Sequence, residues 1–109
     1  MFQTLPYARS RKAVDKPGIP PMYLYGLTTC VHCLTARRLL EEYELPFHMV
    51  YLDTLDVEVR RPVMQALRAQ YGSRVLYPVL EVDGDFIFGF DRDEWTELLE
   101  SLEERSRIA

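Results

Sequence analysis

The only two cysteines of this 109-residue chain, Cys30 and Cys33, lie three positions apart in the segment TTCVHC at 28–33. Two cysteines at this spacing form the reactive dithiol of redox proteins, or they supply half of the ligands of a zinc site. Because the chain has no third cysteine, the surrounding elements must decide between these two kinds of chemistry.

Cys30 falls at the predicted junction of a strand and a helix. The segment MYLYG at 22–26 is short, aromatic and apolar, which is typical of a buried strand. The helix after it is predicted from apolar side chains that recur on one face, namely Cys33, Ala36, Leu40 and Tyr43. The unpaired N–H groups and the positive dipole end at the start of a helix stabilise an anion. A cysteine thiolate is the anion that Cys30 can supply there.

This placement predicts a different role for each of the three polar side chains. Cys30 is expected to attack a disulfide, and Cys33, one turn further on and less exposed, is expected to resolve the product. His32 would favour the Cys30 thiolate and the reduced dithiol, which raises the reduction potential. The alternative for His32 is a side chain that only faces solvent.

A metal site within one chain is disfavoured by the ligand count. Structural zinc usually takes four ligands, and only His32 and His48 could join the cysteines. His32 lies between the two cysteines and cannot easily share an ion with both, and His48 falls within a predicted strand. We therefore predict no metal ligands, although a cluster shared by two chains through Cys30 stays open.

The middle of the chain predicts a second strand and a second helix. The segment FHMVYL at 47–52 has the apolar character of a strand. Residues 56–71 carry apolar side chains at helical spacing, and Gly72 is the expected stop. Pro62 is tolerated in this helix in the first turn, or it produces a kink.

The last third predicts a hairpin and a final helix. Two apolar runs flank Asp83 and Gly84, the dipeptide best suited to a type I′ turn. Asp91 followed by Glu94 resembles a capping box. An apolar stripe at Trp95, Leu98, Leu99 and Leu102 is expected to enter the core. The order β-α-β-α-β-β-α predicts an α/β fold, a four-stranded mixed sheet with helices on both faces.

Composition and charge set wider bounds. The length fits one domain at 22–109, preceded by a basic arm at 1–21 that ends in KPGIPP and is expected to be flexible or loosely packed. A net charge of −4 argues against nucleic-acid binding. No apolar run approaches the roughly 20 residues needed to cross a bilayer, and the arm lacks the apolar stretch of a secretory signal. A cytoplasmic monomer is the expectation.

Over residues 22–105 the chain resembles a glutaredoxin of the thioredoxin fold. The likeness is carried by TTCVHC after the first strand, by the hairpin segment YPVLEVDG at 77–84, and by FGFD at 88–91 before the last helix. It implies that Pro78 is cis and packs against the active-site disulfide. It further implies that the Tyr77 backbone pairs with a bound disulfide substrate. The substrate or glutathione contacts that the resemblance implies are Thr29, Tyr77, Pro78, Gly89 and Asp91.

Several positions depart from the family pattern. Leu27 stands where glutaredoxins usually carry a lysine that binds a glutathione carboxylate, and Phe88 replaces the first glycine of a Gly-Gly-x-Asp turn. Val31 and His32 replace the usual proline and tyrosine between the cysteines. Dithiol chemistry is therefore expected more firmly than glutathione recognition.

The sequence thus predicts a dithiol oxidoreductase that reduces protein or glutathione mixed disulfides. Cys30 is the predicted nucleophile and Cys33 the resolving thiol. Glutathione as co-substrate, or a flavoprotein disulfide reductase, would restore the dithiol. Two alternatives remain: an iron–sulfur cluster carrier in which two chains share a cluster through Cys30, and an adaptor whose thiols sense oxidation while the arm at 1–21 docks a partner.

Overall fold

The predicted order of strands and helices is confirmed in the computed structural model, which describes residues 8–9 and 17–109. The strands are β1 (Ala8–Arg9), β2 (Met22–Gly26), β3 (His48–Tyr51), β4 (Val79–Val82) and β5 (Asp85–Phe88). The helices are α1 (Val31–Glu42), α2 (Val57–Tyr71) and α3 (Arg92–Ile108), with a short 3-10 helix at Leu52–Thr54.

The strands form one mixed sheet in the order β1-β3-β2-β4-β5. β2 and β3 are parallel and are connected through α1, whereas β4 pairs antiparallel with both β2 and β5. These four strands are the predicted thioredoxin-like sheet. The two residues of β1 extend its edge, with Ala8 opposite Met49. Of the arm predicted at 1–21, residues 1–7 and 10–16 lie outside the described residues.

Side chains alternate along the strands and bury two separate cores. Met22 and Leu24 of β2 face α1 and α3, where Trp95, Leu99 and Leu102 of the predicted stripe are buried. Tyr23 and Tyr25 point to the opposite face and pack against α2. The expected arrangement of helices on both faces of the sheet is therefore present.

Most of the residues that predicted a turn or a helix end have the expected backbone conformation. Asp83 and Gly84 both have positive φ, 53° and 84°, as a type I′ turn between β4 and β5 requires. Gly72 ends α2 with a φ of 133°. Pro62 is the sixth residue of α2 and lies beyond the first turn, so the first of its two predicted placements is wrong. In the part of the chain that the structure describes, no helix is long and apolar enough to cross a bilayer.

Candidate active site

Cys30 is the residue immediately before α1 and caps that helix. Its backbone is extended, and its sulfur accepts the N–H of Cys33 at 3.2 Å. Its carbonyl oxygen accepts the N–H of Leu34 at 3.2 Å, which begins the helical hydrogen-bond pattern. The sulfur therefore lies against the positive end of the helix, where a thiolate is stabilised by backbone N–H groups. Cys30 is partly exposed, so a substrate can reach it.

Cys33 is more buried than Cys30, and the pKa of its thiol is shifted. Its side chain is 1% exposed, whereas Cys30 is only half-buried. Burial, followed by the hydrogen bond between the two thiol groups, raises the pKa of Cys33 to about 12. The negative charges of Cys30 and Asp53 act in the same direction. Cys33 is consequently a protonated thiol at neutral pH, behind the more accessible sulfur of Cys30.

Gly26 permits the close approach of α1 to the sheet at the dithiol. A Cβ atom at this last position of β2 would lie 3.0 Å from both the Cβ and the Sγ of Cys33, and 3.3 Å from the methyl carbon of Met49. Any larger side chain would therefore displace Cys33. From the sequence, Gly26 is recognisable only as the end of a strand, because a pattern of apolar residues does not reveal which side chain lies opposite a glycine.

Asp53 accepts hydrogen bonds from the loop that leads to Cys30. Its carboxylate accepts the Thr28 N–H at 3.1 and 3.2 Å and the Thr28 hydroxyl at 2.5 Å. The hydroxyl hydrogen bond, more than any other contact, holds the pKa of Asp53 below its usual range. Sequence reasoning missed this residue, since 25 positions separate the two partners and nothing in the segment after β3 marks the aspartate as functional.

Thr29 and His32 lie on the exposed side of the site. Thr29 precedes Cys30 and lines a shallow depression of about 140 Å³ together with Cys30. His32 is exposed in the first turn of α1, and its side chain makes no hydrogen bond or ion pair with residues 17–109. Its predicted effect on the dithiol therefore stays a prediction.

Tyr77 and Pro78 lead into β4, which pairs with the strand whose last residue, Gly26, lies against Cys33. The peptide bond between them is cis, as the family resemblance implied. The Tyr77 hydroxyl donates to the sulfur of Met64 in α2 at 3.3 Å. Burial raises the pKa of Tyr77, and the neighbouring Cys33 contributes in the same direction. Tyr77 therefore lies near the dithiol and is held there by a contact with α2.

Gly89 and Asp91 hold the end of the hairpin and the start of α3. Gly89 has a φ of 81°, donates to the carbonyl oxygens of Leu76 at 3.1 Å and Pro78 at 2.8 Å, and accepts the Trp95 indole N–H at 3.1 Å. The Asp91 carboxylate accepts the Glu94 N–H at 3.1 Å as the helix cap. These contacts explain both residues structurally, and their predicted contact with a substrate or glutathione stays a prediction.

Two exposed apolar side chains line the depression at the reactive sulfur, and a third lies over the end of the hairpin. Val31 is 74% exposed and Leu34 is 43% exposed, and both line the depression at Cys30. Leu76, 52% exposed, covers Gly89, because a Cβ atom on Gly89 would lie 2.7 Å from a Leu76 methyl carbon. Such a surface fits a substrate that brings its own apolar side chains.

The described residues provide no cluster of three or more histidine, cysteine, aspartate or glutamate side chains that could hold a metal ion. His48, considered above as a ligand, begins β3 and stacks on Tyr23, with 5.0 Å between ring centroids. Its Nδ1 atom is buried without a hydrogen-bond partner among the described residues. His48 is thus half-buried beside Tyr23, on the α2 side of the sheet.

Comparison with known proteins places this geometry in a family. Residues 22–87, more than half of the chain, match the family model described as Glutaredoxin. The match begins at the first residue of β2, covers the dithiol and the cis-proline, and ends within β5. No curated protein sequence matches the chain.

Solved structures of redox proteins share the fold. The glutaredoxin grx-1 of Archaeoglobus fulgidus is 27% identical, with a TM-score of 0.65 over 75% of this chain and 88% of that one. The glutaredoxin of Methanosarcina mazei Go1 is 26% identical, with a TM-score of 0.66 over 80% and 90%. The glutaredoxin-like protein NrdH-redoxin of Escherichia coli is 26% identical, with a TM-score of 0.58 over 72% and 93%. The chain therefore belongs to the glutaredoxin family of thioredoxin-like redox proteins.

Proposed function

We propose that this protein is a dithiol oxidoreductase that reduces disulfides through Cys30 and Cys33. The observation that carries the proposal is the asymmetry of the two sulfurs. Cys30 is accessible and accepts a backbone N–H at the start of α1, whereas Cys33 is buried and protonated at neutral pH. One sulfur is thus suited to attack a substrate, and the other is kept unreactive until the first has reacted.

The reaction proceeds in two exchanges. The Cys30 thiolate attacks one sulfur of a substrate disulfide, the substrate S–S bond breaks, and its other sulfur leaves as a thiolate that takes up a proton. Cys33 then loses its proton and attacks the Cys30 sulfur. The mixed disulfide breaks, the second substrate thiol is released, and the Cys30–Cys33 disulfide remains. The substrate gains two electrons, and the dithiol loses them.

Protein disulfides are the proposed substrates in preference to glutathione mixed disulfides. Leu27 offers no charge to a glutathione carboxylate, and Leu76 covers Gly89 at the end of the hairpin. The exposed Val31 and Leu34 beside Cys30 suit a protein surface. NrdH-redoxin of Escherichia coli is a glutaredoxin-like protein with a thioredoxin-like activity profile, and we extend this profile to the present chain.

The test is the reduction of insulin disulfides with two alternative electron donors. With NADPH and a flavoprotein thioredoxin reductase, the wild-type protein is expected to turn over. With glutathione and glutathione reductase it is expected to be at least several-fold slower. Cys30→Ser should be inactive with either donor, and a Cys30→Ser variant that retained activity would refute the mechanism.

The two alternatives from the sequence, a cluster carrier and an oxidation-sensing adaptor, stay predictions. Cys30 would serve in either of them, but no contact among the described residues favours them over dithiol exchange. A cytoplasmic location and a monomeric state likewise stay predictions.

A further inference from the structure

A second concave surface lies along α2, outside the depression at Cys30. It has a volume of about 320 Å³, and three of its six lining residues are arginines. The full lining is Val57, Arg60, Arg61, Met64, Gln65 and Arg68. We call this surface the α2 groove. It contains no acidic lining residue, although the whole chain has a net charge of −4.

The arginines of the α2 groove are available to a ligand. Within residues 17–109, none of Arg60, Arg61 and Arg68 forms an ion pair with an aspartate or glutamate. Arg37 and Arg107, by contrast, are each held by a glutamate of their own helix. Arg60 is near enough to Asp53 to lower the pKa of that carboxylate, so Arg61 and Arg68 supply most of the local positive potential that would attract an acidic ligand.

The α2 groove reaches the dithiol through Tyr77. Met64, in the groove, accepts the Tyr77 hydroxyl at 3.3 Å, and Tyr77 adjoins the cis-proline. Tyr77 lies two residues before Val79, which pairs with Tyr25 of β2, and the next residue of β2, Gly26, lies against Cys33. A ligand in the groove would therefore lie beside the segment that leads into β4, next to the strand that contacts Cys33.

The length of the α2 groove suits a short extended peptide. The eight-residue step from Arg60 to Arg68 corresponds to about 12 Å along a helix axis at ~1.5 Å per residue. An extended peptide advances roughly 3.3 Å per residue, so about four residues would span the same distance. Val57, which is 50% exposed, and Met64 offer apolar contacts between the charges.

We propose that the α2 groove binds an acidic segment of the protein substrate, within about four residues of the cysteine that Cys30 attacks. The inference rests on the proposed function, since the bound segment delivers a disulfide to Cys30. The charge of the groove opposes that of the whole protein. An acidic substrate would therefore be repelled elsewhere and would bind in one orientation.

The test compares two peptides that differ only in charge. Each carries one cysteine as a mixed disulfide with thionitrobenzoate, whose release reports the attack by Cys30. One peptide has aspartates and glutamates at the four positions beside the cysteine, and the other has asparagines and glutamines. At low ionic strength we expect the acidic peptide to react about tenfold faster, the lower end of electrostatic steering. The difference should vanish near 1 M salt, where the Debye length is ~3 Å.

Substitutions of the arginines test whether the α2 groove causes the faster reaction of the acidic peptide. Arg61→Gln and Arg68→Gln should each lower the ratio of the acidic to the neutral rate constant, and the triple variant with Arg60→Gln should bring it close to one. Arg105→Gln removes an exposed positive charge from the end of α3 and should leave the ratio unchanged. Circular dichroism and thermal unfolding would establish that every variant is folded.

The outcomes separate the inference from the proposed function. Equal rates for the two peptides would overturn the inference and leave the oxidoreductase intact, as would an acidic preference that survives the triple variant. Release from neither peptide would instead refute the proposed function, and the inference with it. If the arginine variants slowed only a glutathione mixed disulfide, the groove would bind that tripeptide and the inference would be wrong.

Discussion

The properties of Cys33 depend on residues that are distant in sequence. Its thiol is buried between α1 and the sheet, and the negative charge of Asp53, about 20 positions away, adds to the rise in its pKa. The same carboxylate holds Thr28, two residues before Cys30. Asp53 therefore positions the attacking cysteine and helps to keep the resolving thiol protonated.

Asp53→Asn is expected to lower the pKa of Cys33, because it removes one of the negative charges that raise this pKa. The amide removes the negative charge while its oxygen can still accept a hydrogen bond from Thr28. The measurement is the pH dependence of iodoacetamide modification of Cys33, followed by intact mass in a Cys30→Ser background. Asp56→Asn removes a nearby exposed charge and serves as the control. A Cys33 pKa that shifted equally in both variants would contradict a specific role for Asp53.

His32→Gln tests whether the exposed imidazole tunes the dithiol. Loss of a side chain that can carry a positive charge beside Cys30 should make the reduction potential more negative, because the reduced form loses stabilisation. Exposed charge interactions contribute about 0.2–1 kcal/mol, which corresponds to roughly 4–20 mV for two electrons. Titration against reduced and oxidised glutathione, read by intact mass, measures the potential. A shift to less negative values would show that His32 acts differently.

At the scale of elements, the contact between β2 and α1 determines where Cys33 lies. Gly26→Ala should lower the free energy of unfolding by about 1–3 kcal/mol, because the new methyl group would meet Cys33 at 3.0 Å. The cost should be smaller in a Cys33→Ala background, where the sulfur is absent. Urea unfolding of the four reduced proteins measures this coupling. An equal cost in both backgrounds would mean that the contact is not responsible.

Substitutions at the N-cap of α3 distinguish a structural role of Asp91 from a contact with glutathione. Asp91→Ala should cost about 0.5–2 kcal/mol of stability, since the Glu94 N–H loses its acceptor. Asp91→Asn should retain most of the stability, and Asp93→Ala, in the first turn without a capping hydrogen bond, should have little effect. Thermal unfolding provides the comparison. If Asp91→Ala slowed glutathione exchange without loss of stability, the residue would contact glutathione instead.

Strands and turns were predictable where one short segment of the sequence was enough to indicate them. β2 was predicted with its observed bounds from a short aromatic and apolar segment, and the turn at Asp83 and Gly84 from a dipeptide. Periodicity also identified the buried stripe of α3. The same signals could not identify β1, because a two-residue strand has no period. They also did not predict that Pro62 lies in the second turn of α2.

At the scale of the whole molecule, the candidate site was predictable only in part. The spacing of the cysteines and the strand before them identified the dithiol, and the family resemblance identified the cis-proline. The Asp53 contact and the α2 groove depend on how segments pack in space. The arginines at positions 60, 61 and 68 show an ordinary polar helix surface in the sequence. Only the packing of α2 beside Tyr77 brings this surface close to the dithiol.

Trapping the mixed disulfide is the most direct test of the two assigned roles, with Cys30 as the nucleophile and Cys33 as the resolving thiol. Reduced Cys33→Ser is mixed with a peptide disulfide, and the products are analysed by intact mass and peptide mapping. We expect one stable peptide adduct on Cys30 in this variant, no adduct in Cys30→Ser, and only a transient adduct in the wild-type protein. A stable adduct on Cys33, or equal adducts in both variants, would contradict the assignment of Cys30 as the nucleophile.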